Sequence, residues 1–158
     1  MMKRISTYLI LASLFVGLSC SEELNPQPYE YTRLLTNGSA KTWVLSHYAF
    51  TENGEVDNSS ILACYKDDRH TFWANPEKSI QVTGGENKCV EDEPGMLIND
   101  TWSFNNANAT LIVEISLIVG KLPYFIRDLD EDDLVLEIFI DQESIFSYRI
   151  YFEAVEDE

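Results

Sequence analysis

The sequence predicts an all-β domain of about eight short antiparallel strands, a barrel or a sandwich. Three observations predict it. From Lys41 onward apolar and polar residues alternate in short runs, with no sustained helical period. Between the runs lie compact clusters of Gly, Asn, Asp and Pro, too short for the crossovers that parallel strands need. The chain has 158 residues, 45% of them apolar and 12% aromatic, which is one domain's worth of sequence with enough apolar surface to build a core.

Each element follows in order. Met1-Met2-Lys3-Arg4 is a basic start, Ile5 to Leu18 an apolar run, and Ser19-Cys20 precedes an acidic stretch, the pattern of an export signal. The run is shorter than the 18 or so apolar residues a retained membrane-spanning helix requires. Asn25-Pro26-Gln27-Pro28 reads as linker, and Tyr31 to Leu35 as a short helical turn. Strands are expected at Thr42 to Phe50, Arg69 to Ala74, Ser79 to Thr83, Leu97 to Asn105, Thr110 to Val119, Tyr124 to Asp128, Leu134 to Ile140 and Ser144 to Ala154. The turns between them are expected at Glu52-Asn53-Gly54-Glu55, Asn75-Pro76-Glu77, Gly84-Gly85, Asn105-Asn106, Gly120-Lys121 and Asp141-Gln142-Glu143. Within the last strand Phe146, Tyr148, Ile150 and Phe152 share one face, with Ser147, Arg149 and Glu153 on the other, so one face is expected to be buried and one wet. Leu134, Leu136 and Ile138 are set against Val135 and Glu137, and Trp102 and Phe104 against Thr101 and Ser103, in the same way.

Charge narrows the function classes. With 27 acidic against 11 basic residues the formal net charge is −16, and losing Lys3 and Arg4 with the signal makes the remainder more acidic. Phosphate binding needs clustered Lys and Arg, so nucleic acid is a poor partner, and the same charge opposes docking on anionic lipid.

Gly17-Leu18-Ser19-Cys20 resembles the lipobox of bacterial lipoproteins, and its loose form ending in Ser-Cys is similar to those of the Bacteroidota. The resemblance implies cleavage before Cys20, lipid on the Cys20 sulfur and a membrane tether at the mature N-terminus. Several buried acyl chains, at about 0.8 kcal/mol per methylene, anchor stably. Ser21-Glu22-Glu23 resembles the acidic tag that sends lipoproteins of that phylum to the outer face of the outer membrane; the alternative is an ordinary solvated linker.

A second resemblance spans Leu34 to about Phe152. Lys41-Thr42-Trp43-Val44-Leu45, Cys64 followed by Asp67-Asp68, Phe72, Cys89, Thr101-Trp102-Ser103-Phe104, Tyr124-Phe125-Ile126 and Asp133-Leu134-Val135-Leu136 occur in the order seen in lipocalin-like lipoproteins of Bacteroidota. The Gly common before the second Trp is replaced by Asp100-Thr101. The resemblance implies an up-and-down antiparallel barrel of about eight strands, lipocalin-like, whose interior is either filled by side chains or holds one small ligand. It places Phe72 inward and hence Trp73 outward, where an exposed indole would suggest a contact surface.

Export leaves Cys64 and Cys89 as a pair, because Cys20 is taken by lipid, and two thiols in an oxidising compartment point to a disulfide. The rival, a metal site on Cys64, His70 and Cys89, lacks any paired ligand spacing. Asp128, Asp130 and Asp132 have the first three spacings of a calcium loop. Asp133 stands where the turn Gly belongs and Phe139 where the bidentate Glu belongs, so an acidic turn is the better reading and no metal is expected. Ser46-His47 and His70 are the only obvious base candidates; strand alternation sends Ser46 and His47 to opposite faces, and no catalytic residues are nominated.

The expected organisation is a signal peptide over 1–19, an acidic, Pro-containing linker over 20–33 and a barrel over 34–158. The expected function is a non-enzymatic outer-membrane lipoprotein, without cofactor, that binds a small apolar or amphipathic ligand lined by Trp43, Phe72, Trp102, Tyr148 and Phe152. Indoles suit such ligands, yet aromatics in barrel strands also serve simply as core. The alternatives are an envelope interaction module with a filled core, contacting a protein or glycan, and a small hydrolase.

Overall fold

The computed structural model describes residues 30–52, 55–59, 63–105, 109–115, 120–139 and 146–155. Among the described residues one short helix, α1 (Glu30–Thr36), precedes nine strands: β1 (Ala40–Glu52), β2 (Glu55–Ser59), β3 (Arg69–Trp73), β4 (Ser79–Thr83), β5 (Met96–Asn105), β6 (Thr110–Ile115), β7 (Gly120–Leu129), β8 (Asp133–Phe139) and β9 (Phe146–Ala154). A single 3-10 turn, Ala63–Tyr65, lies between β2 and β3.

Eight of the strands close a barrel. β1, β3, β4, β5, β6, β7, β8 and β9 follow one another as antiparallel neighbours, and β1 pairs β9 from Trp43↔Ala154 to Glu52↔Phe146 to complete the circle. The up-and-down antiparallel barrel expected from the sequence is the observed fold. β1 is long enough to serve two partners along one edge, β3 with its first half (Ala40↔Trp73 to Val44↔Arg69) and β2 with its second (Tyr48↔Ser59 to Glu52↔Glu55). β2 is thus a hairpin strand added at one end of the barrel. It was not expected, because Glu55–Ser59 is mostly polar and gives no alternating apolar signal.

The expected turn at Gly120-Lys121 is a strand instead: Gly120 pairs with Ile115 and Lys121 with Glu114. A glycine and a lysine look like punctuation in one dimension, but two neighbouring strands can carry them through a ladder. The turn that joins β7 to β8 is built as an acidic turn. The Asp130 carboxylate accepts from the amides of Asp132 and Asp133, both at 2.8 Å, and those amides hold its pKa below the usual range, Asp133 contributing most. Asn75 makes the β3–β4 turn by accepting from the Ser79 amide at 2.8 Å, with Lys78 in the left-handed region at φ 52°. The turns expected at Asn53-Gly54, after Asn105 and at Asp141-Gln142-Glu143 lie outside the described residues, as do the signal and tether segments with Cys20.

The two ends of the barrel differ. α1 sits at the end where β1 begins, and its Tyr31, Leu34 and Leu35, at helical spacing, face the strands. Seven residues are too few for an isolated helix, so packing holds it. It stops at Asn37 and Gly38, both at positive φ (48° and 76°), with the Ser39 amide donating to the Thr36 carbonyl at 3.0 Å. Around it gathers the core: Trp43, Phe72, Ile80, Trp102, Leu111, Leu129, Leu134 and Phe152, all buried. This end is a solid floor.

Candidate functional site

Register decides which side chains look into the barrel, because directly paired residues share a face. Buried Phe152 lies opposite Leu45 and Leu134, and Ile150 opposite Tyr48 and Leu136. Above the floor the inward positions are therefore Leu45, Tyr48 and Phe50 on β1, His70 on β3, Val82 on β4, Ile98 and Asp100 on β5, Val113, Ile115, Leu122, Tyr124 and Ile126 across β6 and β7, Leu136 and Ile138 on β8, and Phe146, Tyr148 and Ile150 on β9. Val82, Val113 and Leu136 are buried, and the others are half-buried except Tyr148, which is 41% exposed. The inward side chains that keep most contact with solvent lie toward the end opposite α1.

The five residues expected to line a ligand divide accordingly. Trp43, Phe72, Trp102 and Phe152 belong to the floor: Phe72 and Trp102 meet edge to face at 6.2 Å, and both indole donors are engaged by backbone. Trp43 Nε1 donates to the Leu35 carbonyl of α1 at 3.0 Å, and Trp102 Nε1 to the Trp73 carbonyl at 3.1 Å. Tyr148 stands apart at the opposite end, edge-on to Phe50 at 5.7 Å, while Phe50 also stacks on Phe146 at 5.5 Å. Trp73 is half-buried, and its carbonyl serves Trp102. Alternation along β9 made the shared face of Tyr148 and Phe152 legible, but not that one of them is exposed at the open end and the other buried in the floor, with only Ile150 between them on that face.

The disulfide lies at the rim of the open end. Cys64 and Cys89 are bonded, with Cα atoms 5.1 Å apart, and join the segment before β3 to the loop between β4 and β5. Around the bridge the Asp67 carboxylate accepts from the Asn87 amide at 3.0 Å and its side-chain nitrogen at 2.9 Å, which lowers its pKa. Asp68 accepts from the Gly85 amide at 3.2 Å, while burial raises its pKa. A Cβ on Gly85 would lie 2.1 Å from Asp67 Cγ, so this close approach requires glycine.

His70 is the polar group inside the wall. It pairs with Trp43 on one side and Val82 on the other, and its ring meets Phe152 edge-on at 5.1 Å. Nδ1 is sealed from solvent and has no hydrogen-bond partner among the described residues. Burial drives its pKa down to about 4, although the nearby Asp68 and Trp43 backbones favour the protonated ring, so at neutral pH the imidazole is uncharged. Tyr124 faces the same interior, and burial raises its phenol pKa.

Ser46 and His47 depart from expectation. Ser46 Oγ lies 3.2 Å from His47 Nδ1, although adjacent strand residues were expected on opposite faces. The cause is a bulge: the β1–β9 register shifts between Leu45 and His47, and the extra residue breaks the alternation. His47 lies on the outer wall, stacked on Tyr151 at 4.0 Å and 10°. A nucleophile and base in contact still need an oxyanion site and an orienting group, and one face of this ring is covered by Tyr151.

The outer wall is also less wet than alternation implied. Glu137 is 2% exposed, Ser147 is buried and Arg149 half-buried. The Ser147 hydroxyl and the Arg127 guanidinium donate to Glu137, and Arg149 Nη2 lies 3.4 Å from it. Burial pushes the Glu137 carboxyl up, yet these donors outweigh it and hold the pKa below the usual carboxylate range. Sequence alternation assigns a face, but it cannot see that two arginines and a serine arrive from neighbouring strands to enclose the acid.

Fold and interior together define a small closed antiparallel barrel, plugged by a helix at one end and lined at the other by accessible aromatic and aliphatic side chains. No protein-family model matches this chain, and no curated protein matches it at a significant level.

Proposed function

We propose that the chain is a non-enzymatic, lipocalin-like carrier, an outer-membrane lipoprotein tethered through Cys20 that holds one small apolar or amphipathic molecule in the open half of its barrel. One observation carries the reading: inward side chains are buried around α1, whereas those at the other end, Phe50, Phe146 and Tyr148 among them, are half-buried or exposed. A filled interaction module would be packed across both halves. The ligand would stand on the floor made by Trp43, Phe72, Trp102 and Phe152 and meet Tyr148 near the mouth, an apolar pocket with a few polar groups of the usual binding-site kind. The lipobox at Gly17-Leu18-Ser19-Cys20 and the ordered motifs of lipocalin-like lipoproteins of Bacteroidota support the tether and the kinship.

A second reading is favoured by the outer wall, where Phe125 and Phe139, each 38% exposed, meet edge to face at 5.5 Å beside Arg127. Such a patch suits a protein or glycan partner at the envelope. Native mass spectrometry of protein purified from its host membranes separates the two. A co-purifying small molecule supports carriage, whereas a co-purifying polypeptide with an empty barrel overturns it in favour of the module. Protection from protease on intact cells would place the protein on the periplasmic face rather than the cell surface.

A further inference from the structure

Besides the hydroxyls of Tyr48, Tyr124 and Tyr148, the inner wall of the open half is aromatic and aliphatic with two kinds of polar interruption. One is His70, whose buried Nδ1 makes no hydrogen bond of good geometry among the described residues, although the backbones of Asp68 and Trp43 lie near the ring; a buried polar atom left unpaired is costly, and such atoms in native structures are usually satisfied by something. The other is acidic. Asp100 faces inward opposite Ile80, and Glu52 ends β1 at the rim. Among the described inward positions above the floor there is no Lys or Arg; Lys41 lies at the α1 end, where it donates to the carbonyls of Leu34 and Glu131. An anionic head group would therefore find no lysine or arginine at these positions, and a charge left unpaired there is costly in the low dielectric of the interior.

We propose that His70 is the polar subsite of the barrel and hydrogen-bonds the hydroxyl of an uncharged amphipathic ligand, whose apolar body lies against Leu45, Ile150 and the Phe50–Tyr148 aromatics. This rests on the carrier reading. A neutral imidazole presents one N–H and one lone pair, and with the lone pair on Nδ1 a hydroxyl satisfies it by donating. The edge-on contact with Phe152 holds the ring in place between the floor and the opening. An ether of the same length can only accept, and a carboxylate brings the wrong charge.

The test uses the purified full chain, the neutral dye N-phenyl-1-naphthylamine as reporter, and three displacing probes: decanol, decyl methyl ether and decanoate. Expected is displacement by decanol at about tenfold lower concentration than by either of the others, a ratio set by one buried hydrogen bond. His70→Phe should bind the dye and erase the preference of decanol over the ether, while His70→Asn, which keeps a donor and an acceptor, should retain part of it. The ring-nitrogen NMR signals of His70 in the unsubstituted chain should move on adding decanol while those of His47 stay, a readout independent of whether either variant folds. If neither dye nor any probe binds, the carrier reading falls and this inference with it. If dye and probes bind but decanoate is preferred, or the His70 ring signals do not move, the carrier reading stands and the assignment of His70 is overturned.

Discussion

Replacing Trp43 by Phe tests how the floor is made. Trp43 is fully buried, and its indole N–H reaches the Leu35 carbonyl at 3.0 Å, a bond from the first barrel strand to the helix that plugs it. Phenylalanine keeps a ring but deletes that donor, leaving a buried carbonyl unpaired at about 1–3 kcal/mol. The smaller ring also leaves space that the surrounding Leu35, Leu134 and Phe152 can only partly close, adding about 1 kcal/mol. Together the variant should lose about 2–4 kcal/mol in urea unfolding followed by far-UV circular dichroism, and its Tm should fall by about 5–15 °C for a chain of this size. Because the lost bond belongs to α1, amide exchange should quicken most in Leu35 to Ser39 and least in β8 and β9. A loss under about 1 kcal/mol, or unchanged exchange in α1, would refute the reasoning.

Cys89→Ser should cost about 3 kcal/mol, the unfolded-state effect expected for a bridge across 25 residues, and the same loss should appear in the unsubstituted chain under reductant; equal urea midpoints with and without reductant would contradict it. Gly85→Ala should destabilise by about 1–3 kcal/mol, since the new methyl meets an Asp67 carboxylate already held by Asn87; a neutral result would mean that the rim loop yields freely. Acid should weaken the fold through His70. Its pKa is about 4 folded against 6.5 unfolded, so the stability it contributes is complete above pH 6.5 and is lost as pH falls toward 4, up to about 3 kcal/mol. His70→Phe should flatten that part of the stability profile and leave the rest. Glu137, depressed when folded, contributes stability above its unfolded value that is lost as pH falls through the folded one. Glu137→Gln should therefore be less stable than the parent at pH 7, the difference shrinking in strong acid; a constant difference would separate the effect from its charge.

Alternation made most of the barrel legible. The strand at Ser79–Thr83 was read at its observed bounds, and Ser144 to Ala154 gave the inward set of β9, because Ile80, Val82, Ile150 and Phe152 repeat at the period of a pleated strand. β2 was illegible, since a polar strand is specified by its neighbour's free edge rather than by its own pattern. The bulge at Ser46 was illegible for a related reason: its cause is the match between β1 and β9, which no window on β1 contains. At the site, Trp43 and Trp102 were read as facing a ligand, whereas they pack in the floor, at a depth that depends on where α1 comes to rest. His70 was noticed as a base candidate, and its inward aim follows from Phe72 two residues on; its sealed nitrogen depends on Phe152, far along the chain.

The position of α1 also sets a polarity for the whole molecule. The helix opens at Glu30 beside the floor, so under the proposed tether at Cys20 the ten residue steps between them form a leash that reaches at most about 35 Å from the stoppered base. A protein tethered this way stands like a cup on its foot, brim turned to the surroundings and disulfide on the lip. Exchange with the aqueous side would then need no reorientation, whereas delivery into the supporting bilayer would require the cup to tip over within the length of its own leash.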